Sequence, residues 1–231
     1  MKERQNKILK AVIREYQRTG QPVASEVLVK KCRFDLSSAT MRLEMLALDR
    51  DGFLEQPHIS AGRVPTDKAF RLFLEEEEEE YLTEKEQEKM SKKLENLHLQ
   101  SLRAAAQFLA DFSKNLGISG FFEPTADFHE AGLRWLAEEP EFEGEDLKNI
   151  MKSFDSLEDD FNKFFSDLDE EVEVFIGQEN PIKYLRNYSL VITGFEKEDG
   201  RGVLGILGPK RMDYQRNKFI LKEARKKVQR V

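Results

Sequence analysis

Prolines at 57 and 65, with Gly62 between them, mark a stretch that neither a helix nor a central strand can run through. Because it follows three short amphipathic segments, this stretch limits the start of the chain to a few small folds in which packed helices carry a projecting loop. From residue 4 to 18, Ile8, Leu9, Val12, Ile13 and Tyr16 recur at helical spacing while Lys7, Lys10, Arg14 and Arg18 point elsewhere. That pattern predicts an amphipathic helix, stopped by Gly20. Pro22 predicts an extended connector over 21–24. Ser25 then caps a short helix holding Val27 and Leu28 inward, and Ser37 caps a third helix running to about Arg50, with Met41, Met45 and Leu48 along its inner face. After Asp51-Gly52, Phe53 to Gln56 reads as a short strand and 57–65 as the loop. Thr66 reads as the cap of a helix from Asp67 to Leu74, with Phe70 and Phe73 turned inward.

Three helices, a strand and a glycine-tipped loop make a winged helix-turn-helix, in which the third helix presents its first residues to the major groove of DNA. Ser38, Thr40 and Arg42 on that helix, and His58, Ser60 and Arg63 on the wing, are the residues expected at the DNA. Structural alternatives stand beside them: helix capping for Ser38, an internal salt bridge for Arg63, a hydrogen bond to the loop for His58. Charge distribution agrees with a DNA-binding head. Residues 1–71 hold 14 Lys/Arg against 9 Asp/Glu, whereas the whole chain carries −7. Phosphate attraction follows this local field rather than the net charge.

The remainder reads differently. Glu75 to Glu80 is an acidic run that serves best as a linker or solvated helix. Thr83 to Glu86 has capping-box spacing, and Met90, Leu94, Leu97, Ala104 and Phe108 predict a long helix, its seam interrupted by Ser101, facing either a second subunit or its own domain. Residues 117–130 read as irregular and aromatic-rich, and 145–168 as a helix with Ile150, Phe154, Leu157, Phe161, Phe164 and Phe165 on its apolar face. From 171 the period changes to two, with strands predicted at 172–176, 188–195 and 202–207 and a final basic helix capped by Asp213. The expected class is therefore α+β, the second part an antiparallel sheet with helices. Gly200-Arg201-Gly202-Val203-Leu204-Gly205 has the spacing of a dinucleotide-binding loop, but a strand rather than a helix follows it. One cysteine, Cys32, and three scattered histidines suggest neither a disulfide framework nor a zinc site. With no catalytic constellation, no enzyme activity and no cofactor are expected. The absence of a long apolar run, and a start that enters a helix directly, predict no membrane segment, no signal peptide and a cytoplasmic protein.

Arg4-Gln5 with Gly20 to Val23, then Leu36 to Arg42, and above all Leu54-Glu55-Gln56-Pro57-His58-Ile59-Ser60-Ala61-Gly62-Arg63-Val64-Pro65-Thr66-Asp67-Lys68, resemble the heat-inducible transcription repressor family, HrcA. Further blocks at Phe175 to Pro181, Ser189 to Val191 and Gly205 to Tyr214 agree, with a weaker one from Ala131 to Phe142. The resemblance implies repression of chaperone operons at an inverted repeat in double-stranded DNA, and the chaperonin GroEL as a partner that maintains the active fold; a homodimer is expected because a single recognition helix covers too few base pairs for an operator-specific repressor. It also implies a middle region similar to a GAF domain, shortened here by about a hundred residues relative to the usual family length. On this reading 1–75 is the winged head, 76–116 an acidic linker and long helix that is a candidate for dimerisation, and 117–231 a reduced GAF-like regulatory domain. Leu43 stands where the family more often has asparagine, and Ile59 where threonine is common. A winged-helix regulator with another operator and signal, or a winged helix used only for protein contacts, are the competing functions.

Overall fold

The structure, a computed structural model, describes all residues except 33, 77–82, 96–100, 123–125, 140–147, 149, 151–156, 199 and 230–231, together with the side chains of 157 and 158. Phe154 and the end of the 131–142 block lie outside the described residues, as does the side chain of Leu157. Two compact units divide the chain, Met1–Glu77 and Glu78–Val231. Among the described residues no helix is long and apolar enough to cross a membrane.

In the first unit, α1 (Glu3–Thr19), α2 (Ser25–Cys32) and α3 (Ser38–Arg50) precede the two-residue strands β1 (Leu54–Glu55) and β2 (Val64–Pro65) and the helix α4 (Asp67–Glu76). The strands pair antiparallel, Leu54 opposite Pro65 and Glu55 opposite Val64. Ile8, Leu9, Val12, Ile13, Leu28, Met41, Met45, Leu48 and Phe70 form the buried centre, as the helical spacing predicts, whereas Tyr16 and Val27, which the spacing also turns inward, are only half-buried. Two expected caps are in place. Ser37 Oγ accepts the Thr40 N–H at 3.0 Å, and the Thr66 carbonyl opens α4 while its hydroxyl donates to the Gly52 carbonyl at 2.8 Å. Ser25 is not a cap: the Ala24 carbonyl accepts the first helical bonds of α2, so Ser25 is the first residue inside it.

Glu15 ties α1 to α2, accepting from Arg18 at 2.7 Å and from Lys31 at 2.6 Å. The hydrogen bonds from Arg18 and then Lys31 hold its carboxyl at about 2, well below the ordinary 4.5. A depressed folded-state value contributes stability that is complete above the unfolded value and is lost as pH falls from 4.5 through about 2. Since both cations are more than half exposed, solvent screening reduces this to about 1 kcal/mol. Glu15→Gln is expected to lower urea stability by that amount at neutral pH, the gap closing through the same acid window; a gap unchanged by acid would refute the linkage.

The second unit holds α5 (Glu84–Glu95), α6 (Leu102–Ser113), β3 (Leu116–Phe121), β4 (Asp127–Ala131), α7 (Leu133–Ala137), α8 (Leu157–Phe165), β5 (Glu173–Ile176), β6 (Tyr188–Lys197), β7 (Gly200–Pro209) and α9 (Tyr214–Val228). The expected single helix over 83–116 is interrupted: Ser101, at φ −116° and ψ 122°, is extended and precedes α6. All five strands form one antiparallel sheet in the order β4-β3-β7-β6-β5. The chain is thus α+β, as the change of period predicts.

Alternation along the strands assigns the two faces. Leu116, Ile118, Leu190, Ile192, Val203 and Leu207 join Leu136, Ile150, Phe161, Phe165, Ile182 and Leu185 in one core. The opposite face meets α6 and α9: Ser119 donates to the Leu102 carbonyl, and Ser189 lies 2.9 Å from the Tyr214 hydroxyl. Phe164, expected in the core, is 40% exposed on the outer side of α8. β3 and β4 occupy the stretch that reads as irregular. The sequence hides β3 because it is covered on both faces, so that its burial does not alternate, and because the positions between its apolar residues include two glycines. Both are required for close approach. A Cβ on Gly117 would come within 2.2 Å of the Ala106 carbonyl oxygen in α6, and one on Gly120 within 2.3 Å of the Phe128 ring. The glycine-spaced segment 200–205 lies wholly within β7, which excludes a phosphate loop there.

Candidate nucleic-acid interface

α3 owes its orientation to Met41, Met45 and Leu48, which are buried. At 100° per residue, the side directly opposite them carries Ala39, Leu43 and Arg50, with Arg42 about a quarter turn from the core side, at the edge of this face. All four are exposed. Arg42 and Arg50 have no ion pair or hydrogen bond among the described residues. Ser38 and Thr40 sit on the flanks of this face, each half-buried, and Thr40 is engaged with the cap, its Oγ1 2.9 Å from Ser37 Oγ. Glu44 is turned the other way, paired with Arg4 of α1, which keeps its negative charge off the exposed side.

The wing is a fixed loop. Gln56 Nε2 donates to the carbonyls of Ile59 at 2.9 Å and Ala61 at 3.0 Å, and the Ala61 N–H donates to the His58 carbonyl at 2.9 Å. This clamp holds His58, Ile59 and Ser60 outward, all exposed. At the wing base, Val23 and Arg63 exchange backbone hydrogen bonds of 2.8 and 2.9 Å, joining the wing to the connector after α1. Gly62 permits this approach, since a Cβ there would sit 2.4 Å from the carbonyl carbon and oxygen of Val23. Arg63 does not project: its side chain is 16% exposed and its Nε lies 2.7 Å from Asp49 Oδ2, so it braces the wing against α3. That is the internal salt bridge foreseen as its alternative role.

Of the six residues expected at the DNA, Arg42, His58 and Ser60 thus stand on the solvent side, Ser38 and Thr40 on its margin, and Arg63 within the framework. Sequence reasoning missed Ala39 and Leu43 because it looked for polar groups. Their angular position opposite Met41, Met45 and Leu48 carries the signal. It also missed the Gln56 clamp, which depends on a side chain reaching across its own loop.

In the second unit, Lys218, Lys222, Arg225 and Lys226 of α9 line a cavity of about 340 Å³ together with Glu170, Glu171 and Val172. The basic side of the last helix therefore meets acidic residues of its own unit.

Fold and surface define a winged-helix protein with a separate antiparallel α+β unit. Residues 71–217 match the family model described as HrcA protein C terminal domain, well over half of the chain, and the chain belongs to the HrcA family. It is 28% identical to the heat-inducible transcription repressor HrcA of Natranaerobius thermophilus over 318 residues, covering 92% of each chain. That alignment is longer than this 231-residue chain and so includes positions with no counterpart in it. The protein of the same name from Chloroflexus aurantiacus is 55% identical over 73 residues, covering 32% of this chain and 20% of that one. A crystal structure of a hypothetical protein, 19% identical, superposes with a TM-score of 0.77 over 100% of this chain and 99% of its own, a likeness of fold alone.

Proposed function

We propose that this chain is a DNA-binding transcriptional repressor of heat-shock (chaperone) genes, acting in the cytoplasm as a homodimer on an inverted-repeat operator. The supporting observation is the exposed face of α3, which bears two cations with no ion pair among the described residues and lies beside a clamped wing. Membership of a family whose relatives are named heat-inducible transcription repressors supplies the setting. Arg42 reads a base edge, Ser38 and Thr40 at the first turn of α3 and His58 and Ser60 on the wing contact the backbone, and Arg63 positions the wing. One recognition helix spans too few base pairs for an operator-specific repressor, so two copies are required. Residues 76–116 are the segment proposed to join them, and 117–231 the regulatory part, with GroEL maintaining its fold. No cofactor takes part.

The test is selection of DNA from a random pool by the purified full chain, with the particle mass measured by light scattering. Enrichment of an inverted repeat found upstream of chaperone genes supports the proposal. An unrelated site would make the chain a regulator with another target, and no enrichment would make the winged unit a protein-contact module. On the selected site, Arg42→Ala is expected to weaken binding by about 1–3 kcal/mol, with a smaller loss on random DNA. Equal losses on both, read by fluorescence anisotropy, would make Arg42 a phosphate contact.

A further inference from the structure

Leu43 is 66% exposed and Ile59 fully exposed, in a unit whose other large apolar side chains, Met1 at the terminus apart, are at least partly covered. Both lie on the surface proposed to meet DNA, Leu43 in the middle of the open face of α3 and Ile59 at the wing. Ala39, one turn before Leu43 on the same side, is also exposed, so two apolar side chains stand on the open side with Arg42 at its edge. Nothing in the folding of the unit requires Leu43: the Met41, Met45 and Leu48 side of α3 makes the core contact.

We infer that Leu43 is a base-reading residue that packs on the 5-methyl group of a thymine in the major groove, with Arg42 beside it reading a hydrogen-bonding edge. This rests on the DNA-binding reading above and specifies part of the site. The surroundings of Leu43 select this occupant over a second protein chain. A protein interface gathers apolar groups into a patch with charge at its rim. Leu43 instead shares its open side with Arg50, two turns further on, and has Arg42 at the edge of that side, neither ion-paired among the described residues. A polyanionic groove accepts those cations, and the apolar feature it offers a side chain at their level is the thymine methyl. An isobutyl group without hydrogen-bonding capacity distinguishes thymine from cytosine by that methyl alone, so its contribution to recognition is confined to one kind of base pair.

Deoxyuridine substitution isolates the contact, because it removes the methyl and leaves every hydrogen-bonding group in place. Each thymine of the selected operator is replaced singly, and binding of the full chain, Leu43→Ala and Leu43→Asn is measured at one salt concentration. The wild-type chain is expected to lose about fourfold in affinity at one position in each half-site, the equivalent of one buried methyl. Both Leu43 variants should be indifferent to that same substitution. Arg42→Ala should still respond to it. The inference is overturned if no substitution weakens the wild-type chain, if the Leu43 variants respond as fully as the wild type, or if Leu43→Ala changes the particle mass without DNA, which would assign the residue to a protein interface. Failure to select any DNA would instead bring down the DNA-binding reading itself.

Discussion

Gly62→Ala is expected to lower the thermal midpoint of the N-terminal unit by roughly 15 °C, the equivalent of about 3 kcal/mol in a unit of this size. The added Cβ would lie 2.4 Å from the carbonyl carbon and oxygen of Val23 and 2.8 Å from the Ala24 nitrogen. These are backbone atoms and cannot rotate away as the end of a side chain can. Relief requires the wing to part from the connector, which breaks the two Val23–Arg63 backbone hydrogen bonds and loosens the Arg63–Asp49 pair. Overpacking of this kind costs about 1–3 kcal/mol and each lost hydrogen bond about 0.5–1.5. Specific DNA binding should fall with stability, because the brace that orients the wing on α3 is the part that fails. Ser60→Ala, two residues away at an exposed position, is the control and should unfold as the wild type does. Calorimetry showing Gly62→Ala within a degree or two of wild type would mean that the wing does not approach the connector this closely.

For the second unit, Phe161→Ala should remove about 3–5 kcal/mol and bring its unfolding midpoint down by roughly 10 °C. Phe161 is completely buried, with its ring centroid 5.8 Å from Phe128 of β4 and 5.1 Å from Phe165, both edge to face. Phe165 in turn lies 5.7 Å from Phe175 of β5, so the rings form a continuous series across this side of the sheet. Deleting one ring leaves a cavity that its neighbours fill only in part. The functional consequence separates two regulatory schemes. If heat releases the repressor by melting the sheet unit, the variant should lose operator binding at a correspondingly lower temperature, and GroEL should restore part of it. A fall of a few kcal/mol in a marginally stable unit changes its folded fraction by orders of magnitude, ample for such a switch. Should the variant melt early and yet hold its operator up to the wild-type temperature, the thermal scheme is wrong, and the unit responds to some other signal.

Much of the winged unit was legible in the sequence because its determinants are local. Ser37 and Thr66 cap helices by bonding to backbone a few residues away, as Asp213 does in the second unit, and a helix buries Met41, Met45 and Leu48 together wherever it is placed. The strands β6 and β7 were legible for a similar reason: a run of β-branched and glycine residues is bounded at each end by turn residues. β3 and β4 were not. Gly117 and Gly120 look like loop residues until α6 and Phe128 are packed against them, and only then does the missing side chain become the reason for the strand.

At the surface proposed to meet DNA the same division holds. The sequence by itself determined which helix carries the exposed face, where the wing begins and ends, and that Arg42 and His58 lie outside the core, since periodicity and proline act within a few residues. Only the tertiary structure decided that Arg63 turns inward to Asp49, that Gln56 clamps the wing, and that Leu43 is left without cover. Each of those depends on what another segment places nearby, and an ion pair, a reaching amide or an uncovered side chain has no periodicity from which it can be read.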